Sequence, residues 1–263
     1  MEKLSTKTNQ EWLNILKGFA DQADDIACHY YDKVDLAITQ KEDKSVVSEG
    51  DLEIEKAIRK TIAVDCPELE VYGEEFGSCD KNAPLKLIID PIDGTSNFVR
   101  KIPIFGTLLG VEIEGKIVAG LVSNPITNER WVASVGNGAT YNDKPIHVSS
   151  IDSLSDSQAF YGSLFGREAR GNSEQLIKLL SHTKRQRGIG DFLMHMWVAN
   201  GYGEFGIDFK LQPWDLAPLG IIVEEAGGKV TSASGDSFDI YEGSILSSNG
   251  ILHDDIVNLY NPS

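Results

Sequence analysis

From residue 105 to about 148 the chain drops every helical spacing. It runs instead as "TLLGVEI", "KIVAGLV" and "RWVASV", strand-like segments divided by turn signals at Glu114-Gly115 and Asn137-Gly138. Short turns of this kind join neighbouring strands, so the region reads as an antiparallel meander. What lies before and after it is different. Trp12, Ile15, Leu16, Phe19, Ala20, Ala23, Ile26, Ala27 and Tyr30 recur at steps of three and four, the stripe of an amphipathic helix. A polar stretch, "KEDKSVVSEGD", follows. Asp51 then precedes a second helical pattern with Ile54, Ala57, Ile58 and Ile62 on one face. Short strands are expected at 69–73 and 85–90. Helices return at 173–181, 191–200 and 214–228, with strand-like pieces between and after them. No repeat, low-complexity tract or Pro-rich linker interrupts the chain. The reading is α+β and layered, two sheets each carrying helices. An N-terminal half, 1–150, and a C-terminal half, 151–263, make one compact unit.

Composition excludes several classes of function. Lys and Arg number 24 against 40 Asp and Glu, a formal charge of −16, and a surface that acidic repels nucleic acid and anionic membrane. The 3 cysteines form no C-x-x-C pair, which suits reduced thiols in the cytosol better than a disulfide framework or a zinc site. The first residues, "MEKLSTKTNQEW", lack the apolar core of a signal peptide, and no apolar run reaches the roughly 18 residues of a membrane span. The chain reads as cytoplasmic. It contains no G-x-x-x-x-G-K-[ST], G-x-S-x-G or H-E-x-x-H, the marks of common nucleotide-triphosphatases, serine hydrolases and metalloproteases.

Acidic residues at element ends carry the chemistry. In "LIIDPIDGTSNF" an apolar strand leaves the core with two aspartates three apart. Pro91 cannot donate to a ladder, so the strand is expected to end there and bend, letting Asp90 and Asp93 converge and freeing the Ile92 carbonyl. Carboxylates plus a carbonyl are hard oxygen donors of the kind Mg²⁺ takes. Gly94-Thr95 then opens a helical turn whose free N–H groups suit a phosphate oxygen. Taken alone, D-x-x-D favours a plainer reading, an N-cap at Asp93 with Asp90 solvated. In "YGEEFG", Glu74 and Glu75 follow a strand and sit between glycines; at most one should enter a site, and a solvated acidic turn is the alternative. In "PWDLAPLGIIVEEAGGKVT", Asp215 stands where a helix begins, as a cap, a metal ligand or both. Leu216, Leu219, Ile222, Val223 and Ala226 form the buried stripe, Pro218 falls in the tolerated first turn, and Gly227-Gly228 stop the helix.

Together "GEE", "DPIDGT" and "WDLAPLGIIVEEAGG" resemble the three signatures of the inositol-monophosphatase-like family of Mg²⁺-dependent phosphatases, in order and over nearly the whole chain. "KEDKSVVSEGD" resembles the family's N-terminal segment, with Lys41 and Asp51 at the expected places and Ser48 where a threonine is usual. The resemblance implies the family's layered α/β/α/β/α sandwich and two or three Mg²⁺ per site. It implies metal ligation by Glu74, Asp90, the Ile92 carbonyl, Asp93 and Asp215, and phosphate contacts from Gly94 and Thr95. Glu74, Thr95 and Asp51 take the catalytic roles: water attacks phosphorus in line, with Thr95 oriented by Asp51 and no phosphoenzyme. The family also implies a homodimer.

The segments between the signatures bear on the substrate. "DGTSNFVRKIP", "RGIGDFLMHMWVANG" and "IDFKLQPWDLAPL" look more like the histidinol-phosphatase branch than the inositol-specific one. Histidinol phosphate carries an ammonium group, so acids beside the phosphate pocket would select it, and Asp191 and Asp208 are the candidates. Asn97 and Arg100 complete the pocket or serve as a local cap and a surface charge. Arg187 matches a family position at which a subunit contact is the other role. His195, among apolar residues, is expected to be packed rather than a ligand, and Cys79 is expected to be exposed.

Overall fold

A computed structural model describes residues 7–33, 35–40, 46–78, 80, 82–162, 164 and 173–261. Lys41 and Cys79, both singled out by the sequence, lie outside the described residues. Helix α1 (Asn9–Tyr31) starts at a capping box in which Thr8 and Glu11 satisfy each other's amides. A small antiparallel pair follows, β1 (Ile38–Gln40) and β2 (Val46–Ser48), then α2 (Glu49–Asp65). Asp51 is therefore inside α2, at its third position, and not ahead of it. Ser48 is the N-cap, and its capping box takes the Asp51 carboxylate back to the Ser48 amide.

The first large sheet holds β3 (Glu70–Gly73), β4 (Leu85–Asp93), β5 (Gly106–Ile113), β6 (Lys116–Asn124), β7 (Glu129–Ser134), β8 (Ala139–Tyr141) and β9 (Lys144–Pro145) in that order. Only β3 and β4 are parallel; the rest is the expected meander. Between β4 and β5 lies a short helix, α3 (Thr95–Val99). The second sheet has the order β11-β10-β12-β14-β13, built from β10 (Gln158–Tyr161), β11 (Arg185–Gly188), β12 (Phe205–Phe209), β13 (Lys229–Thr231) and β14 (Ser244–Ser248). Its helices are α4 (Ser173–Leu180), α5 (Asp191–Ala199), α6 (Pro213–Glu225) and α7 (His253–Tyr260). A single 3-10 turn (Leu154–Asp156) precedes β10.

Alternation along the strands sorts the molecule into layers. On β4, Leu85, Leu87 and Ile89 join the cluster of α1 and α2, while Ile88 joins that of α5 and α6. On β10, Phe160 joins α5 and α6, while Ala159 packs with α4 and α7. Two helices thus cover each outer face, and α5 and α6 fill the space between the sheets, giving the expected α/β/α/β/α order. Helix α6 is buried on more than one stripe, because Ala217, Pro218, Gly220 and Ile221 are covered along with the predicted residues. It begins at Pro213, which puts Pro218 in the helix interior, past the first turn, and makes Asp215 the third residue rather than the cap. Gln212 is the N-cap, and Asp215 accepts its amide at 2.8 Å.

Candidate active site

Strand β4 does not stop at Pro91. Pairing with β5 continues from Asp90 opposite Leu108 to Asp93 opposite Gly106, so Pro91 and Ile92 together face Thr107. This is a β-bulge, where a residue without an N–H is tolerated. It also explains the convergence of the aspartates. Residues three apart in a regular strand point to opposite faces, and the extra bulge residue returns Asp93 to the side of Asp90. The turn is pinned from within: the Ile92 amide donates to Asp90 Oδ1 at 2.9 Å, and the Thr107 hydroxyl donates to the Pro91 carbonyl at 2.8 Å. Gly94 then adopts φ +82°, a left-handed conformation that favours glycine, and α3 starts.

Carboxylate oxygens of Asp90, Asp93 and Asp215 lie within 4.8 Å of one another. Asp90 is buried, whereas Asp93 and Asp215 are partly exposed at the mouth. Burial pushes the Asp90 carboxyl well above the usual carboxylate range, and the charges of Glu74, Asp93, Asp215 and Asp51 push it the same way. Asp93 is also raised, by burial and then by Asp191 and Asp215, against the pull of the Phe192 amide, which donates to it at 2.8 Å. Glu74 stands outside the 4.8 Å trio, yet it is the foremost charge acting on Asp90. Its strand ends in a tight turn, 73–77, closed by amide–carbonyl bonds both ways between Gly73 and Gly77. Closely grouped, mutually repelling hard oxygen donors fit a divalent cation, which removes the repulsion on binding.

Beside the trio, Asp51 is buried and bound on three sides. It accepts the Ser48 amide at 2.9 Å, the Ser48 hydroxyl at 2.6 Å and the Thr95 hydroxyl at 3.1 Å. Burial raises its carboxyl to about 6 despite those bonds, with Glu74 adding to the rise. The Thr95 hydroxyl lies 3.0 Å from the Ile92 carbonyl as well, a second partner beside the expected Asp51.

The remaining predicted residues divide. Asn97 spans the mouth, donating to the Ile104 carbonyl at 2.9 Å and to Asp191 Oδ2 at 3.2 Å. Asp191 follows the end of β11, holds φ +56° and reaches to Gly94, where an added Cβ would stand 3.4 Å from its Oδ2. Asp208 lies on β12, with its carboxylate 3.4 Å from where a Cβ at Gly162 would stand. Strands β10, β11 and β12 are parallel, so Gly162, Asp191 and Asp208 gather at their carboxyl ends, where open α/β sheets place ligands. Arg100 is exposed at the end of α3, and Arg187 is exposed on the edge strand β11, donating to the Gln186 carbonyl. His195 is packed in the core and bonded to the Ser247 hydroxyl at 2.7 Å. Sequence reasoning missed the Phe192 amide and a buried acid, Glu55. Glu55 stands three and seven residues before Ile58 and Ile62, along the apolar stripe of α2, and that spacing was the available signal of its burial.

A model described as the inositol monophosphatase family matches residues 8–261. The chain is 35% identical over 254 residues to a histidinol-phosphatase of Mycobacterium tuberculosis, covering 95% of this chain and 97% of that protein. It is 36% identical over 259 residues to a histidinol-phosphatase of Streptomyces coelicolor, covering 95% and 96%. Among solved structures, an IMPase of Thermotoga maritima matches with a TM-score of 0.86 at 30% identity, over 95% of this chain and 97% of that one.

Proposed function

Since the chain belongs to the inositol monophosphatase family and is a phosphatase, we propose that its substrate is L-histidinol phosphate, hydrolysed to L-histidinol and phosphate in histidine biosynthesis. The observation that carries this reading is the position of Asp191, a carboxylate against Gly94 and held there by Asn97. An ammonium group on an ester bound at Gly94-Thr95 would form an ion pair with it, while a hydroxyl of a neutral polyol would gain a hydrogen bond but no ion pair. Asp208 is the second acid available to the amine; Arg100, exposed, is left to the rim. The likeness to two histidinol-phosphatases points the same way.

Glu74, Asp90, the Ile92 carbonyl, Asp93 and Asp215 are the residues to hold Mg²⁺, two or three ions per site. Bound there, Mg²⁺ supplies neutralisation of the phosphate and a lowered pKa for water. The chain's own groups do the rest. Amides at Gly94 and Thr95 orient the phosphate. Thr95 Oγ1 takes a hydrogen bond from the attacking water and hands a proton to Asp51, whose carboxyl near 6 can accept one at neutral pH. Residues 1–150 and 151–263 close on this site as one catalytic unit in a cytoplasmic homodimer, whose assembly size-exclusion chromatography with light scattering would check.

A second reading, an inositol 1-phosphate or other sugar-phosphate phosphatase, shares this chemistry and draws on the likeness to the Thermotoga IMPase. A phosphate-release panel with Mg²⁺ separates the two. Histidinol phosphate is expected to give the highest kcat/KM; preference for inositol 1-phosphate would select the second reading. D191N should raise KM for histidinol phosphate roughly tenfold or more, the worth of a charge-assisted hydrogen bond, and leave inositol 1-phosphate nearly unchanged.

A further inference from the structure

Glu55 is a charged side chain with 0% exposure, one turn beyond Asp51 on α2 and outside the proposed ligand set. Its carboxylate is spent on the turn that carries Glu74. Glu55 Oε2 accepts the Glu75 amide at 2.9 Å, and Oε1 accepts the Phe76 amide at 3.3 Å. Arg59, one turn further along, donates to the same Oε1 from Nε at 2.9 Å and from Nη2 at 2.7 Å, and also donates to the Gly77 carbonyl. The packing leaves no slack: a Cβ at Gly73 would stand 2.2 Å from Glu55 Oε1. Helix α2 therefore presents Asp51 to Thr95, Glu55 to the amides beside Glu74, and Arg59 to the end of the same turn.

We propose that Glu55, clamped by Arg59, is the positioning residue for Glu74 and thereby sets the affinity of the site for Mg²⁺. Two amides of a five-residue turn would otherwise point at a buried wall with no acceptor, and the turn would re-form elsewhere. A glutamine cannot substitute. It has one acceptor oxygen, so its NH₂ must oppose either the Glu75 amide or the Phe76 amide with Arg59.

The proposal rests on Glu74 being a metal ligand, and the test keeps the two apart. Mg²⁺ binding to the full-length metal-free protein is measured by titration calorimetry for the wild type, E74Q, E55Q, E55A and G73A, with circular dichroism and melting alongside. E55Q and G73A are expected to keep the native spectrum and to bind Mg²⁺ about 10- to 100-fold more weakly, the usual effect of losing a partner of a ligand. G73A matters most, because it displaces the Glu55 carboxylate while leaving its charge in place. A lowered melting temperature with the Mg²⁺ dissociation constant unchanged in E55Q and G73A would overturn the proposal, since that is what a purely structural clamp gives. Unchanged Mg²⁺ binding in E74Q would remove the ligand assignment itself, and the proposal with it.

Discussion

Asp93 binds the two halves of the site at the level of single atoms. It accepts the Phe192 amide from the start of α5 and shares a 4.8 Å neighbourhood with Asp90 and Asp215. Asparagine at this position keeps the shape and can still accept that amide, but it removes the charge that repels Asp90 and would attract a cation. D93N should therefore fold normally and lose activity by more than the roughly 100-fold cost of deleting an outer partner of a metal site. Phosphate release at saturating Mg²⁺ measures this, and turnover near the wild-type level would refute it. The bulge makes this arrangement possible, and only part of it was legible. Pro91 announced an interruption of the strand, but whether the strand ended or bulged depended on Gly106 and Thr107 opposite, which no local pattern names.

Helix α6 owes its place to two glycines on neighbouring strands. Gly110 and Gly120 face each other across β5 and β6. A Cβ at Gly110 would stand 2.7 Å from Ala217 Cβ; one at Gly120 would stand 2.7 Å from Ile221 Cγ2 and 2.9 Å from Pro218 Cα. The sheet is bare where the helix crosses it, and the helix that crosses it carries Asp215. G120A should destabilise the protein by about 1–3 kcal/mol, as overpacking does. Urea denaturation would show a lower midpoint at unchanged slope, whereas an unchanged midpoint would mean the layers give way freely. The helix's existence was plain from its spacing and its closing glycines. Its burial between two sheets was less so: Leu216, Leu219, Ile222 and Val223 describe one stripe, and only the second sheet's packing accounts for the rest.

For the molecule as a whole, the site is a source of strain that bound metal would relieve. Asp51, Asp90 and Asp93 all have carboxyls raised in the fold, so their ionisation opposes folding. Without metal, their contribution to stability is greatest below the ordinary value of 3.8 and is lost as pH rises above it, through about 6 for Asp51. Buried His195, pushed down to about 3, has the opposite sign, since stability is lost as pH falls below its ordinary 6.5. That contribution is common to both states and cancels in their difference. The rise in melting temperature on adding Mg²⁺ should therefore grow from pH 4 to pH 7; a rise independent of pH would contradict the mutual repulsion. The linear chain by itself determined the acidic character, the helices, the meander and the identity of the converging aspartates. These depend on periodicity, on turn residues and on residue chemistry, all of which are local. Tertiary structure alone decided that Asp215 joins Asp90 and Asp93, that a helix amide caps Asp93, and that Glu55 turns inward to hold the Glu74 turn. Each of those joins residues far apart in the chain through the packing of two sheets around shared helices, and such pairings leave no imprint on the spacing of either partner.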